Sequence, residues 1–186
     1  MVSLGALWLP VLLSAVLVFV TSSIIHMVLR YHSSDYTRLP NEDVVREAIR
    51  SGSPAPKQYI IPYAMGPKDL ESPEMKRKFE EGPVGVLNIR PSGAPGMGKN
   101  LVQWFVFALV VSFFVAYVAC HALPSGTEYL RVFQLVGAVA FLAYAAGQLP
   151  AAIWMGKPWA IAWKEVFDGL LYGLVTAGSF GWLWPR

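Results

Sequence analysis

Charge is scarce in this sequence, and cysteine and histidine scarcer still. Only 15% of its residues are Asp, Glu, Lys or Arg, where a soluble globular domain carries about a quarter. An ordinary soluble domain is thereby excluded. No Lys or Arg precedes the first apolar run, Leu4 to Leu29. A cleavable signal peptide would need a positive start and a small-x-small cleavage site, so this run is expected to be a retained helix. The single cysteine, Cys120, excludes an intrachain disulfide and reads as a packing residue. The histidines number three: His26, His32 and His121.

The charge that exists is concentrated. Residues 30 to 100 hold eleven of the fifteen Lys and Arg and nine of the twelve Asp and Glu. Outside that window lie four apolar runs: Leu4–Leu29, Leu101–Leu123, Glu128 to about Trp154, and Val166–Trp184. A helix needs about 20 apolar residues to cross a bilayer. The expected fold is therefore an all-α integral membrane protein. It has four transmembrane helices and a small α+β cytoplasmic insert between helices 1 and 2. Residues 1–29 form helix 1, residues 30–100 the insert, and residues 101–186 helices 2–4.

Basic residues near the span ends set the orientation. Arg30, Arg38, Arg46, Arg90, Lys99 and Lys157 stand on the insert side, against Arg131 and Arg186 on the other. Six against two puts the insert in the cytoplasm and both termini in the periplasm of a bacterial inner membrane. Trp8, Trp182 and Trp184 suit the outer interface; Trp104, Trp154, Trp159 and Trp163 suit the inner one.

The insert reads as two short helices and a ribbon. In LPNEDVVREAIRSG, Asn41 can cap a helix that Gly52 follows. In SPEMKRKFEEGP, Ser72 caps, Pro73 takes the first position, and Gly82 with Pro83 ends the helix. KQYIIPY and VGVLNI can pair as two strands. Nine prolines and seven glycines in residues 30–100 argue against a large core, and so small a piece rarely stabilises itself.

SGAPGMGKN, Ser92 to Asn100, has the G-x-x-x-x-G-K spacing of a phosphate-binding loop. The hydroxyl that would hold magnesium is replaced by Asn100, and the next helix is a membrane span. No nucleotide and no nucleic acid are expected as partners. Pro91, Gly93, Pro95, Gly96 and Gly98 instead make a non-helical approach to the membrane. Lys99 anchors at the lipid surface, and Asn100 caps the second span.

Catalytic groups are few. His26 and His121 lie at opposite ends of their spans, about 30 Å apart, and cannot share one metal. His26 and His32 are six residues apart, not a helical pair, so no metal site is assigned. His26 stays open as a single cofactor-binding ligand to a haem or pigment. Ser22 and Ser23 are expected to bond their own backbone carbonyls. Asp168, inside the fourth span, is expected to face protein and to pair with Lys164 one turn back. A proton or cation site is the other reading of Asp168. Gln103, Gln134 and Gln148 are expected to bridge helices.

The clearest pattern concerns packing. Gly169, Gly173, Ala177 and Gly181 repeat at a spacing of four along the fourth run, and Ala143, Gly147 and Ala151 do so along the third. Small residues at this spacing form a groove that lets helix backbones approach in lipid. The grooves either face each other or meet a partner helix or ring-shaped cofactor. The opposite face, at Val175 and Thr176, is expected to meet lipid, as are Phe105, Phe107, Phe113, Phe114 and Tyr117 unless a neighbour covers them.

The strings HMVLRYHSSDY, PNEDVVREAIRSG, EEGPVGVLNIRP and the MGKN before a span resemble a family of bacterial hypothetical four-span inner-membrane proteins. The resemblance covers most of the chain. It implies a bacterial membrane protein and brings no site residue with it.

Two functions follow. The first is a non-catalytic accessory subunit of a larger integral-membrane complex, of the electron-transport or photosynthetic kind by analogy. It has no enzymatic activity, and its partners are other membrane subunits and lipid. The second is a small transporter or cofactor-binding membrane enzyme using Asp168 or His26. No cofactor is predicted, though a structural lipid or pigment contact fits either reading.

Overall fold

The computed structural model describes residues 2–94 and 96–186. The helices and strands, in chain order, are α1 (Trp8–Ser23), α2 (Glu42–Ser51), β1 (Gln58–Ile61), α3 (Pro67–Leu70), α4 (Pro73–Glu81), β2 (Gly85–Asn88), α5 (Met97–Ala122), α6 (Tyr129–Ala145), α7 (Leu149–Met155) and α8 (Trp159–Trp182). They fall into two compact units. One comprises Met1–Tyr36, Gly96–Ala152 and Lys157–Arg186; the other comprises Thr37–Pro95 and Ile153–Gly156.

The larger unit is helical. Three stretches are long and apolar enough to cross a membrane: Leu4–Leu29, Met97–Ala122 and Tyr129–Met155. The chain therefore has transmembrane character. α8, which holds the fourth apolar run, carries Lys164, Glu165 and Asp168 in its first half and is not among those three. The third stretch is not one continuous α-helix. Pro150 has no N–H to offer the Ala146 carbonyl, and the ladder gives way to a 3-10 turn at Ala146–Gln148.

α6 lies along α8, and α1 packs on both α5 and α8. Buried serines tie the helices: Ser14 Oγ donates to Ser112 Oγ at 2.9 Å, joining α1 to α5. Trp104 Nε1 donates to Ser22 Oγ at 2.8 Å. At the other end of the bundle, Trp184 Nε1 donates to the Pro124 carbonyl at 2.9 Å. Trp104 and the buried Trp184 thus pack within the bundle, whereas Trp8, Trp154, Trp159, Trp163 and Trp182 are exposed.

The small-residue groove of α8 lies inside the bundle, but its partner is not the expected one. A side chain at Gly169 would meet Ala145, at Gly173 the backbone of Phe141, and at Gly181 the ring of Tyr129. A side chain at Gly137 would meet Ala177. The facing row on α6 is therefore Tyr129, Gly137, Phe141 and Ala145, running antiparallel to α8. Ala143 and Gly147 are exposed, because they sit two residues away from Phe141 and Ala145 on the helix, on the far side. Thr176, expected to meet lipid, is fully buried. It follows Gly173 by three residues and shares its face, and its hydroxyl donates to the Tyr172 carbonyl at 2.8 Å. Phe107, Phe113, Phe114 and Tyr117 face outward.

α5 begins at Met97, with Gly96 at its cap. Gly98, Lys99 and Asn100 are therefore helical, and Asn100 does not cap. Pro95 lies outside the described residues.

In the smaller unit β1 and β2 pair antiparallel, with Tyr59 opposite Leu87. Ser72 caps α4 by accepting from the Met75 N–H at 3.2 Å. Asn41 makes no side-chain cap; it takes a left-handed conformation at φ 55°, which Asn tolerates better than most residues. A third short helix, α3, was not expected. Among the described residues 37–94, Met75 is the only buried side chain. The exposed pairs Glu74–Lys78 and Asp43–Arg46 contribute little, being screened by water.

Candidate functional site

The site forms where the first span ends. After Ser23 the α-helix widens into a π-helical turn, Ile24–Leu29. Arg30 follows in the left-handed region at φ 52°, and its N–H donates to the Ile25 carbonyl at 3.2 Å. A non-glycine residue in this conformation costs about 1–2 kcal/mol, so the surrounding contacts must hold it. The chain then turns into a 3-10 segment, Tyr31–Asp35. That turn lays Tyr31, His32 and Asp35 against the first half of α8.

His32 is the hub. Its Nε2 is hydrogen-bonded to Asp168 Oδ2 at 2.8 Å, and its Nδ1 to Asp35 Oδ2 at 2.6 Å. The Tyr31 hydroxyl donates to the other oxygen of Asp168. Asp168 is buried, yet both of its oxygens have partners, as a buried acid requires.

Lys164 does not pair with Asp168 as expected. Its ammonium donates to Asp35, to the Tyr31 carbonyl at 2.9 Å and to Ser34 Oγ at 3.0 Å. The folded-back 3-10 segment supplies three acceptors, so the lysine turns to it rather than along its own helix. The hydrogen bond from Lys164 holds the Asp35 carboxyl below its ordinary value, with His32 adding to the effect against the opposing pull of burial.

A depressed carboxyl pKa has a definite consequence for stability. Asp35 contributes stability that is fully present above its ordinary value of 3.8 and is lost as pH falls through the lower folded-state value. Lys164→Met removes the main cause of the depression. Acid unfolding of Lys164→Met should therefore begin at a higher pH than that of the unaltered protein. Circular dichroism during acid titration in one detergent checks this; superimposable acid limbs would show that Lys164 does not support Asp35.

His26 lies on the π-helical turn and is exposed. Its ring stacks on that of His32, with centroids 4.8 Å apart and planes within 6°. Nδ1 of His26 donates to the Ser22 carbonyl at 3.0 Å. A carbonyl only accepts, so Nδ1 carries a proton. Six residues apart along a straight helix, His26 and His32 would not meet. The widened turn and left-handed Arg30 bring them together.

His26 also borders two cavities. One, of about 540 Å³, is largely apolar and is lined by Ser22, Met27, Leu101, Trp104 and Tyr172 among others. The second, of about 460 Å³, is lined by His26, Met27, Arg30, His32 and Ser33.

The remaining polar candidates lie elsewhere. Gln148 accepts from Lys157 at 3.4 Å, and Lys157 pairs with Glu165, so Gln148 helps close the turn before α8. Gln103 and Gln134 are exposed and bridge no helices. Ser22 and Ser23 each donate to the Phe19 carbonyl at 2.9 Å, as expected.

Sequence reasoning set His32 aside as unpaired with His26, and missed Asp35 and Tyr31. One signal was available: His32 and Asp35 stand three apart in YHSSDY, the spacing of one helical turn. The contact with Asp168, 136 residues away, leaves no local trace. Comparison of the chain with protein-family models, curated proteins and solved structures finds no match.

Proposed function

We propose that the chain is an accessory, non-catalytic subunit of a larger bacterial inner-membrane complex. Residues 37–95 are the part that meets the host. The observation that carries this reading is the lack of a core in that segment. Met75 is its one buried side chain among the described residues, while Val44, Ile60, Ile61, Tyr63 and Met65 stand exposed. A segment this small, with no disulfide of its own, gains order from a partner surface. The outward aromatic row on α5, from Phe107 to Tyr117, offers a second contact face within the membrane.

The topology belongs to the same proposal. α8 is a fourth span, the insert is cytoplasmic, and both termini are periplasmic. The six-to-two distribution of basic residues supports the orientation. The close antiparallel packing of α8 on α6 supports the fourth span.

Solubilising native membranes in mild detergent tests the reading. The chain is expected to migrate with a complex far larger than its own 20.5 kDa. The double substitution Ile60→Glu with Tyr63→Glu should release it while leaving its helical content intact. Reporters active only in the cytoplasm should respond when fused within the insert at Gly66 and stay silent at the C-terminus. Migration as a free single chain would overturn the subunit role, and the reverse reporter pattern would overturn the topology.

A further inference from the structure

We propose that His26, His32 and Asp168 form a binding site for a divalent first-row transition ion of the zinc type. The site would clip the exit of the first span to α8. It is independent of what the insert contacts.

The donor set comes first. One ligand atom from each of the three residues lies within 4.8 Å of the others. Two imidazole nitrogens and one carboxylate oxygen suit zinc and its neighbours, whereas magnesium and calcium prefer oxygen donors alone.

Orientation is the second point. A histidine that binds a metal through one nitrogen usually donates its other N–H to a carboxylate or carbonyl, which fixes the ring and its tautomer. Both histidines have that arrangement here. Nδ1 of His26 is held by the Ser22 carbonyl, and Nδ1 of His32 by Asp35. Nε2 of each ring is the nitrogen left for the metal. The Tyr31 hydroxyl holds one oxygen of Asp168 and leaves the other, Oδ2, as the ligand. Lys164 would repel a cation were it free, but its ammonium is bound to Asp35, Ser34 and the Tyr31 carbonyl.

Distances set the adjustment needed. Tetrahedral bonds of about 2.0–2.2 Å hold ligand atoms about 3.3–3.5 Å apart. His32 Nε2 and Asp168 Oδ2 are now 2.8 Å apart, with a proton between them. An entering ion takes the place of that proton, which leaves His32 Nε2 for solvent, and the pair opens by about half an ångström. The His26 and His32 rings are stacked in parallel planes, so His26, exposed and on a widened turn, also has to tilt out of the stack to bring the lone pair of its Nε2 onto the ion. No electron transfer is involved. Three protein donors leave a fourth position for water or for a donor arriving through the cavities that His26 borders, which is the open pattern of zinc sites that act on a ligand.

The test uses the full-length chain, without a histidine tag, purified in detergent and stripped with a chelator. Zn²⁺ binding is measured by calorimetry, and Co²⁺ reports the geometry through its visible absorption. One ion per chain is expected, with the intense bands of tetrahedral Co²⁺. His26→Ala should weaken binding on the order of 100-fold, as losing a ligand costs at least what losing an outer partner does. His26 is exposed and outside the buried network, so this variant should fold normally by circular dichroism. Asp35→Asn should weaken binding about 10- to 100-fold, as loss of an outer-shell partner does. His121→Ala, in the last turn of α5, should bind as the unaltered protein does. Equal affinity of the unaltered protein and His26→Ala would overturn the site, as would an octahedral Co²⁺ spectrum or loss of binding in His121→Ala alone.

Discussion

Gly173→Leu should destabilise the α6–α8 pair severely, and Gly169→Ala should do so with a single methyl group. An added Cβ at Gly173 stands 3.1 Å from the Phe141 nitrogen and 3.3 Å from its Cα. Backbone atoms cannot rotate aside, so the remaining three carbons of leucine can be placed only by parting the helices. Overpacking of this kind costs about 1–3 kcal/mol, occasionally more. At Gly169 the Cβ alone is 2.8 Å from Ala145 Cβ and 3.0 Å from its backbone nitrogen, closer than real contacts allow. Gly173→Ala should be the milder alanine, since a shift of a few tenths of an ångström relieves it. Gly181 meets only the Tyr129 side chain, and a ring can swing. The control is Leu174→Phe, on an exposed position of the same helix, where a larger side chain displaces no neighbouring helix. Thermal unfolding in detergent should rank Gly173→Leu lowest, then Gly169→Ala, then Gly173→Ala, with Leu174→Phe near the unaltered protein. Equal stability of Gly169→Ala and Leu174→Phe would show that α6 and α8 do not approach so closely in the folded protein.

Asp168→Ala should cost about 1–3 kcal/mol for each buried polar group it leaves without a partner. It strands the Nε2–H of His32 and the Tyr31 hydroxyl, both of which Asp168 accepts. Asp168→Asn should be far milder. The asparagine oxygen can accept from Tyr31, and its amide can donate to a neutral His32 whose Nδ1–H still reaches Asp35. The exchange then amounts to about one hydrogen bond, 0.5–1.5 kcal/mol. The two variants separate a hydrogen-bonding role from a requirement for charge. Chemical denaturation in detergent micelles measures both; an asparagine variant as unstable as the alanine variant would mean that the negative charge itself holds the cluster.

Packing along α8 was half legible from sequence. Spacing of Gly169, Gly173, Ala177 and Gly181 is a property of one helix, and helical periodicity alone puts these residues on one face. What that face meets depends on the rotation of a second helix, and a repeat of small residues on α6 gave the wrong rotation. Ala143 and Gly147 share a face, but Phe141 and Ala145 are the residues turned inward. Phe141 reaches the groove through its backbone, and Tyr129 fills the end of it with a ring, so neither needed to be small. The interruption at Ala146 was also readable, since Pro150 cannot donate, yet a hydropathy count passes over it.

By itself the sequence determined the apolar runs, the segregation of charge into residues 30–100, the Ser72 cap and the two-stranded ribbon. These depend on composition, on period and on neighbours a few residues away. The tertiary structure alone decided the cluster at the end of the first span. Lys164 and Asp168 stand at a spacing that favours a pair within one helix, and that local preference lost to the three acceptors of the folded-back segment. His26 and His32 met because a π-helical turn and a left-handed Arg30 reversed the chain between them. Both features are held by contacts with α8, more than a hundred residues along the chain. Local spacing cannot encode such a reversal, because its energy comes from charges that only the assembled bundle brings within hydrogen-bonding reach.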